Sequence, residues 1–163
     1  MLLTKYIVEP KSRSDMQAYA NLLRRNLGLT DVLYFPIVEL LDSLAEIFPD
    51  FSYEIVPDRE LGPSIHADTD IRTGHVRIKE SVYERACNGE GRDRMTIAHE
   101  IGHYFTLCCC GFRLTRNFGR ASVPPYKDPE WQAKCFAGEL MVPSQLTQGM
   151  NPAKIAKKFL FAD

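Results

Sequence analysis

Hydrophobic and polar positions along the chain follow two periods, and the change from one to the other divides it. Residues 14–28, "SDMQAYANLLRRNLG", read as an amphipathic helix with Leu22, Leu23 and Leu27 among its apolar positions. Ser14 or Asp15 is available to cap it and Gly28 to stop it. Residues 36–48, "PIVELLDSLAEIF", repeat Ile37, Leu40, Leu41, Leu44 and Phe48 at helical spacing behind a proline suited to a first turn. The period then shortens to two. "FSYEIVP" (51–57) and "GHVRIKE" (74–80) alternate as strands do, the second placing Val76 and Ile78 opposite Arg77 and Lys79. "NGEGRD" (88–93) is a loop whose Asp93 can cap the next helix, "RMTIAHEIGHYFTL" (94–107). "GRASVPPYKDPE" (119–130) is a long irregular connection. Asp128-Pro129 opens a further helix, "PEWQAKCFAGELMV", that Pro143 closes, and "NPAKIAKKFLFAD" begins as another with a solvated "KIAKK" face.

Helices, then strands, then helices again indicate an α+β fold with helices on a short antiparallel or mixed sheet. The expected organisation is one domain over 1–163, with an N-terminal helical part (1–49), a core (50–143) and a C-terminal helical segment (144–163). A chain of 163 residues, 45% hydrophobic and 25% charged, is long enough for one genuine core. Its formal net charge of −1 gives no reason to expect direct nucleic-acid binding. No apolar run approaches the roughly 20 residues of a membrane helix, and "MLLTKYIVEPKSRSD" is too charged for a secretory signal, so a cytoplasmic location is expected. The five cysteines, Cys87, Cys108, Cys109, Cys110 and Cys135, are odd in number and three are adjacent, which suits a reducing compartment better than a disulfide framework. Adjacent cysteines cannot all face one ion, so Cys108, Cys109 and Cys110 are expected to be small buried side chains past the end of a helix.

The chemistry concentrates in His99-Glu100-Ile101-Gly102-His103. On a helix, positions four apart share a face, so both imidazoles can reach one metal ion, and Glu100 projects beside them where it can serve water held there. Met95, Ala98, Ile101, Gly102 and Phe105 are available to pack inward. Two histidines leave a catalytic zinc site one protein ligand short. Two carboxylates on the later helix compete for that role, Glu130 and Glu139. Glu130 can equally act as an acid favoured by the helix N-terminus.

"HEIGHYF" followed by "DPEWQAKCFAGELMVP" resembles the ImmA/IrrE family of metallopeptidases, through Glu130, Ala133, Phe136, Ala137, Leu140, Met141 and Pro143 in the second motif. Lys134 stands where that family prefers Asn. The resemblance implies a small zincin-like metallopeptidase domain with His99, His103 and Glu130 as metal ligands and Glu100 as general base. It also places Glu139 away from the metal, and we expect it to face solvent. Zinc is the expected ion, one per chain, with other divalent metals able to use the same ligands. Tyr126, His75 and His66 are the residue types available to steady an oxyanion. The strand "HVRIKE" is a candidate edge for an extended substrate.

The implied function is zinc-dependent cleavage of a regulatory protein, such as a phage or mobile-element repressor. The partner could carry a helix-turn-helix or belong to a toxin-antitoxin pair. The alternative is a non-catalytic module of the same fold that regulates such a partner by binding. Glu100 favours the enzyme, because a pure binder has no chemical use for it.

Overall fold

A computed structural model describes residues 3–119 and 122–161, and its architecture is α+β. A three-stranded sheet comprises β2 (Ser52–Val56), β3 (Ala67–Asp70) and β4 (His75–Lys79), in the order β2-β4-β3. β2 runs parallel to β4, with Ile55 opposite Ile78, and β3 runs antiparallel to it, with Thr69 opposite Val76. β4 is thus the central strand, with both sides paired, and cannot offer an edge to a substrate. β3, unmarked by any run of β-branched residues, is the outer strand beside the site. Gly74 makes the β3–β4 turn possible, because its φ is +72° and an added Cβ would lie 2.3 Å from the Asp50 carbonyl.

β1 (Tyr6–Val8) pairs with β5 (Leu114–Arg116) in a separate antiparallel ribbon, so the N-terminal part is not wholly helical. α1 spans Arg13–Asn26 and begins earlier than its apolar pattern suggested. Its cap is Ser12, whose hydroxyl accepts from the Asp15 amide (3.1 Å) while the Asp15 carboxylate accepts from the Ser12 amide (2.7 Å), a reciprocal capping box. Its buried stripe is Met16, Ala20, Leu23 and Arg24, and Leu22 faces outward, 47% exposed. α2 (Ile37–Ile47) buries Ile37, Leu40, Leu41 and Leu44 as expected from their spacing.

α3 (Glu80–Cys87) follows β4 without a break. α4 (Gly91–His103) carries the histidine motif and starts at Glu90, which makes no side-chain cap. Asp93 therefore lies inside the first turn rather than at its cap. It is 6% exposed and receives a two-pronged ion pair from Arg85 of α3, at 2.9 and 3.0 Å. Past His103 the helix widens into a π turn, Tyr104–Cys109, in which the Cys110 amide donates to the Phe105 carbonyl at 2.7 Å. This turn carries the cysteine trio to the surface. Cys108 is half-buried, but Cys109 and Cys110 are exposed, contrary to the expectation of small buried side chains.

α5 (Pro129–Met141) packs along both α1 and α4. Arg120 and Ala121 of the preceding connection lie outside the described residues, as do the last two residues of the C-terminal segment. α5 and α4 meet backbone to backbone: a Cβ added to Gly102 would lie 3.0 Å from the Ala133 carbonyl oxygen and 3.4 Å from the Ala133 Cα. Glycine inside a helix is intrinsically unfavourable by roughly 1 kcal/mol. Here it permits the approach that sets the spacing of the site. The C-terminal segment is helical from Pro152 and continues through a π turn to Leu160, burying Phe159 and leaving Lys154, Lys157 and Lys158 exposed.

One core joins these elements, from Met16, Leu41 and Leu44 through Val76 and Ile78 to Ile97, Ile101, Phe136 and Leu140. Two arginines sit inside it and, among the described residues, have no carboxylate partner. Arg24 donates to the carbonyls of Leu140 (2.5 Å) and Val32 and lies over the Phe35 ring. Arg94 donates to those of Phe159 (3.0 Å), Leu160 (2.7 Å) and Phe35 (2.5 Å), with its guanidinium 3.5 Å from the centre of the Tyr34 ring.

Candidate metal centre

The face of α4 that bears His99 and His103 looks into a cleft of about 510 Å³. β3 and the turn before it, 64–66, form one wall, and the first turns of α5 form the other. The two rings lie 4.5 Å apart at 85°, as four-residue helical spacing requires. Glu130 reaches them from α5. Its Oε2 is 2.9 Å from His99 Nε2 and 3.3 Å from His103 Nε2. The three side chains offer ligand atoms all within 4.8 Å of one another, a group able to hold a metal ion. Both imidazoles turn the same nitrogen toward one carboxylate oxygen, a convergence that a merely core-filling pair of histidines would not need.

Glu130 is not the helix cap. That role falls to Asp128, whose Oδ1 accepts from the Glu130 amide at 2.9 Å and frees the Glu130 side chain to turn back into the cleft. Burial works against its ionisation, yet the hydrogen bonds and charge of His103 and His99 outweigh it and hold the carboxyl well below the usual carboxylate range. A carboxylate oxygen between two imidazoles is a suitable donor set for a divalent cation. His103 is 3% exposed, and its Nδ1 has no hydrogen-bond partner among the described residues.

Glu100 is also buried, 7% exposed, on the same helix and outside the triad. Thr69 of β3, itself buried, donates its hydroxyl to Glu100 Oε2 at 2.7 Å. Burial pushes the Glu100 carboxyl up, opposed by His103, by the Thr69 hydrogen bond and by His99. The result is a carboxylate pinned at one oxygen, with its proton affinity raised in the direction a general base requires. Thr69 was not anticipated from the sequence. The only signal was the alternation of Ala67 and Thr69 (buried) with Asp68 and Asp70 (half-buried), which resembles a polar loop unless its partner strand is known.

Among the residues considered for an oxyanion, His66 lines this cleft. His75 instead pairs with Ser52 and Glu54, and Tyr126 lies outside the cleft lining. Met95 also lines the cleft, half-buried, rather than packing fully inward with Ala98 and Ile101. Lys134 is exposed at the cleft wall, one helical turn after Glu130.

Glu139 does not face solvent. Nine residues beyond Glu130, it points from the opposite side of α5, and α1 covers that side. It is 6% exposed and accepts from the Ser144 amide (3.1 Å), the Ser144 hydroxyl (3.1 Å), Asn21 (3.3 Å) and Gln17 (3.4 Å). The two carboxylates are therefore expected to fail differently. Glu130→Gln should weaken divalent-metal binding by more than the roughly 10–100-fold typical of losing a group that only orients a ligand, with little change in stability. Glu139→Gln should leave divalent-metal binding unchanged and reduce stability by about 1–3 kcal/mol, because buried donors lose an anionic acceptor. A chelator-competition titration and a urea melt of each variant measure the two effects; the reverse pattern would move the third ligand to Glu139.

No known family model matches this chain, and no curated protein matches it, so the case for its chemistry rests on these residues and their arrangement.

Proposed function

We propose that this chain is a zinc-dependent endopeptidase of the ImmA/IrrE type, acting on a regulatory protein such as a repressor. The observation that carries the reading is a buried, hydrogen-bonded carboxylate, Glu100, set beside a His99–His103–Glu130 donor group in an open cleft. His99, His103 and Glu130 would hold the ion, which when bound supplies a Lewis acid for a carbonyl and lowers the pKa of water towards about 7. Glu100 accepts a proton from water at the carboxylate oxygen that Thr69 does not engage, and delivers it to the nitrogen of the leaving amine. Thr69 keeps that carboxylate from rotating between these two tasks. The outer strand β3 has backbone groups on its unpaired side, and a peptide held extended along it would lie against the wall that contains Thr69. His66 stands on the same wall as the candidate donor to a developing oxyanion.

A partner trap tests the reading. Glu100→Gln protein is used to capture its protein partner from host cells, and the partner is then incubated with the wild-type chain, with and without a chelator. Fragments identified by mass spectrometry only in the chelator-free wild-type sample support an endopeptidase. A captured partner that the metal-loaded wild-type chain leaves intact would identify a regulatory binding module instead.

A further inference from the structure

Beyond the metal ligands the cleft continues along α4. Arg92, Met95, Thr96, His99 and His103 recur at helical spacing on one face, and all line it. The cleft lining also includes apolar side chains from four separate segments: Leu3 ahead of β1, Ile65 before β3, Met95 of α4 and Ala137 of α5. Leu3 is 4% exposed although it lies near the chain's start, so this wall is part of the folded body. Two cations stand in the same lining, Arg92 and Lys134, both exposed. Among the described residues neither forms a salt bridge; Arg92 reaches only the His66 ring, at 3.4 Å. The acids of the cleft are all engaged: Asp68 by Arg77, Glu100 by Thr69, and Glu130 by the two imidazoles. Four apolar side chains and two unmatched cations thus line the same recess as the candidate metal centre.

The geometry points to a specificity site for an acidic peptide segment: the recess takes one large aliphatic side chain, and Arg92 and Lys134 meet carboxylates flanking it in the substrate. This assignment rests on the endopeptidase reading for its biological meaning, but recognition can be measured apart from cleavage. A peptide with neutral or basic flanks would fill the recess and leave both cations unmatched or repelled. Exposed charge pairs are individually weak, up to about 1 kcal/mol each, so the preference is expected to be about five- to tenfold and to shrink with added salt.

The test uses two fluorescent decapeptides with a central Leu-Leu, flanked in one by glutamates and in the other by lysines. Each is titrated by fluorescence anisotropy with zinc-loaded Glu100→Gln protein and with the same protein carrying Arg92→Glu and Lys134→Glu. Tighter binding of the acidic peptide, reversed by the double charge reversal, supports the site. A third peptide with Gly-Gly at the centre should bind more weakly than its Leu-Leu counterpart. Equal affinities, a preference that survives the charge reversal, or no binding of either peptide at millimolar protein would overturn the proposal. Cleavage is scored separately with the wild-type chain. An acidic peptide that binds with the stated preference and stays intact would count against the endopeptidase reading while leaving the recognition site standing.

Discussion

Glu100→Gln is expected to lower cleavage of the physiological partner by about 10²–10⁴-fold, the usual contribution of a positioned general base. The substitution keeps the size and nearly the shape of the side chain. It retains an oxygen that can accept from the Thr69 hydroxyl, now 2.7 Å from Glu100 Oε2. It also removes a buried carboxylate that burial makes less easily ionised, so the fold should not suffer. His99, His103 and Glu130 are untouched, and metal content should stay at the wild-type level. The expected signature is therefore a split: equal zinc by elemental analysis, equal partner binding, and turnover lost in a gel-based assay. Full turnover in the variant would remove Glu100 from the mechanism. Loss of zinc together with turnover would mean that Glu100 is a ligand and the assignment of roles is wrong.

Arg94→Met is expected to cost about 3–5 kcal/mol of stability, although Arg94 touches none of the chemistry. Arg94 is 1% exposed, and its guanidinium satisfies carbonyls from two separate segments, Phe35 on one side and Phe159 and Leu160 on the other. Methionine fills much of the volume but leaves all three carbonyls without that donor. Lysine should rescue little, because a single ammonium cannot reproduce a planar fork spanning both segments. Arg92→Met, two residues earlier and exposed, should change stability by less than about 0.5 kcal/mol. With a urea m-value of about 2 kcal/mol/M, the Arg94 variant's midpoint falls by roughly 2 M relative to that control. Coincident midpoints for the two variants would show that the buried guanidinium contributes nothing net.

Arg94 also illustrates why part of this molecule could not be read from its sequence. Periodicity finds a charged residue and assigns it to solvent; only the tertiary fold brings unpaired carbonyls to it. Glu139 was misplaced for the same reason, since the side of α5 facing away from Glu130 proved to be covered by α1. The long helices were legible because their apolar residues repeat over several turns, as in Ile37, Leu40, Leu41 and Leu44. β1 and β5 were not, because three-residue strands separated by more than a hundred residues carry no local signal. α3 was missed because it is eight residues long, has no side-chain cap and follows directly on β4. The cluster able to hold a metal ion was the most legible feature: helical spacing brings His99 and His103 together, and the motif resemblance singled out Glu130, whose carboxylate lies against both rings. The hydroxyl that holds Glu100 belongs to a strand with no hydrophobic signature, and its identity waited on the sheet.

The contact between Gly102 and Ala133 has a mechanical consequence. Where two helices are separated by long side chains, a change of one methylene can be absorbed by rotamer shifts before the backbones move. Here main chain rests almost on main chain, with a hypothetical Cβ only 3.0 Å from the opposing carbonyl oxygen. The joint is stiff because nothing compressible lies within it. The distance between the ring-bearing and carboxylate-bearing helices is consequently insulated from small repacking in the surrounding core. The same stiffness leaves the joint itself no latitude, and variation there would be transmitted undamped to the donors.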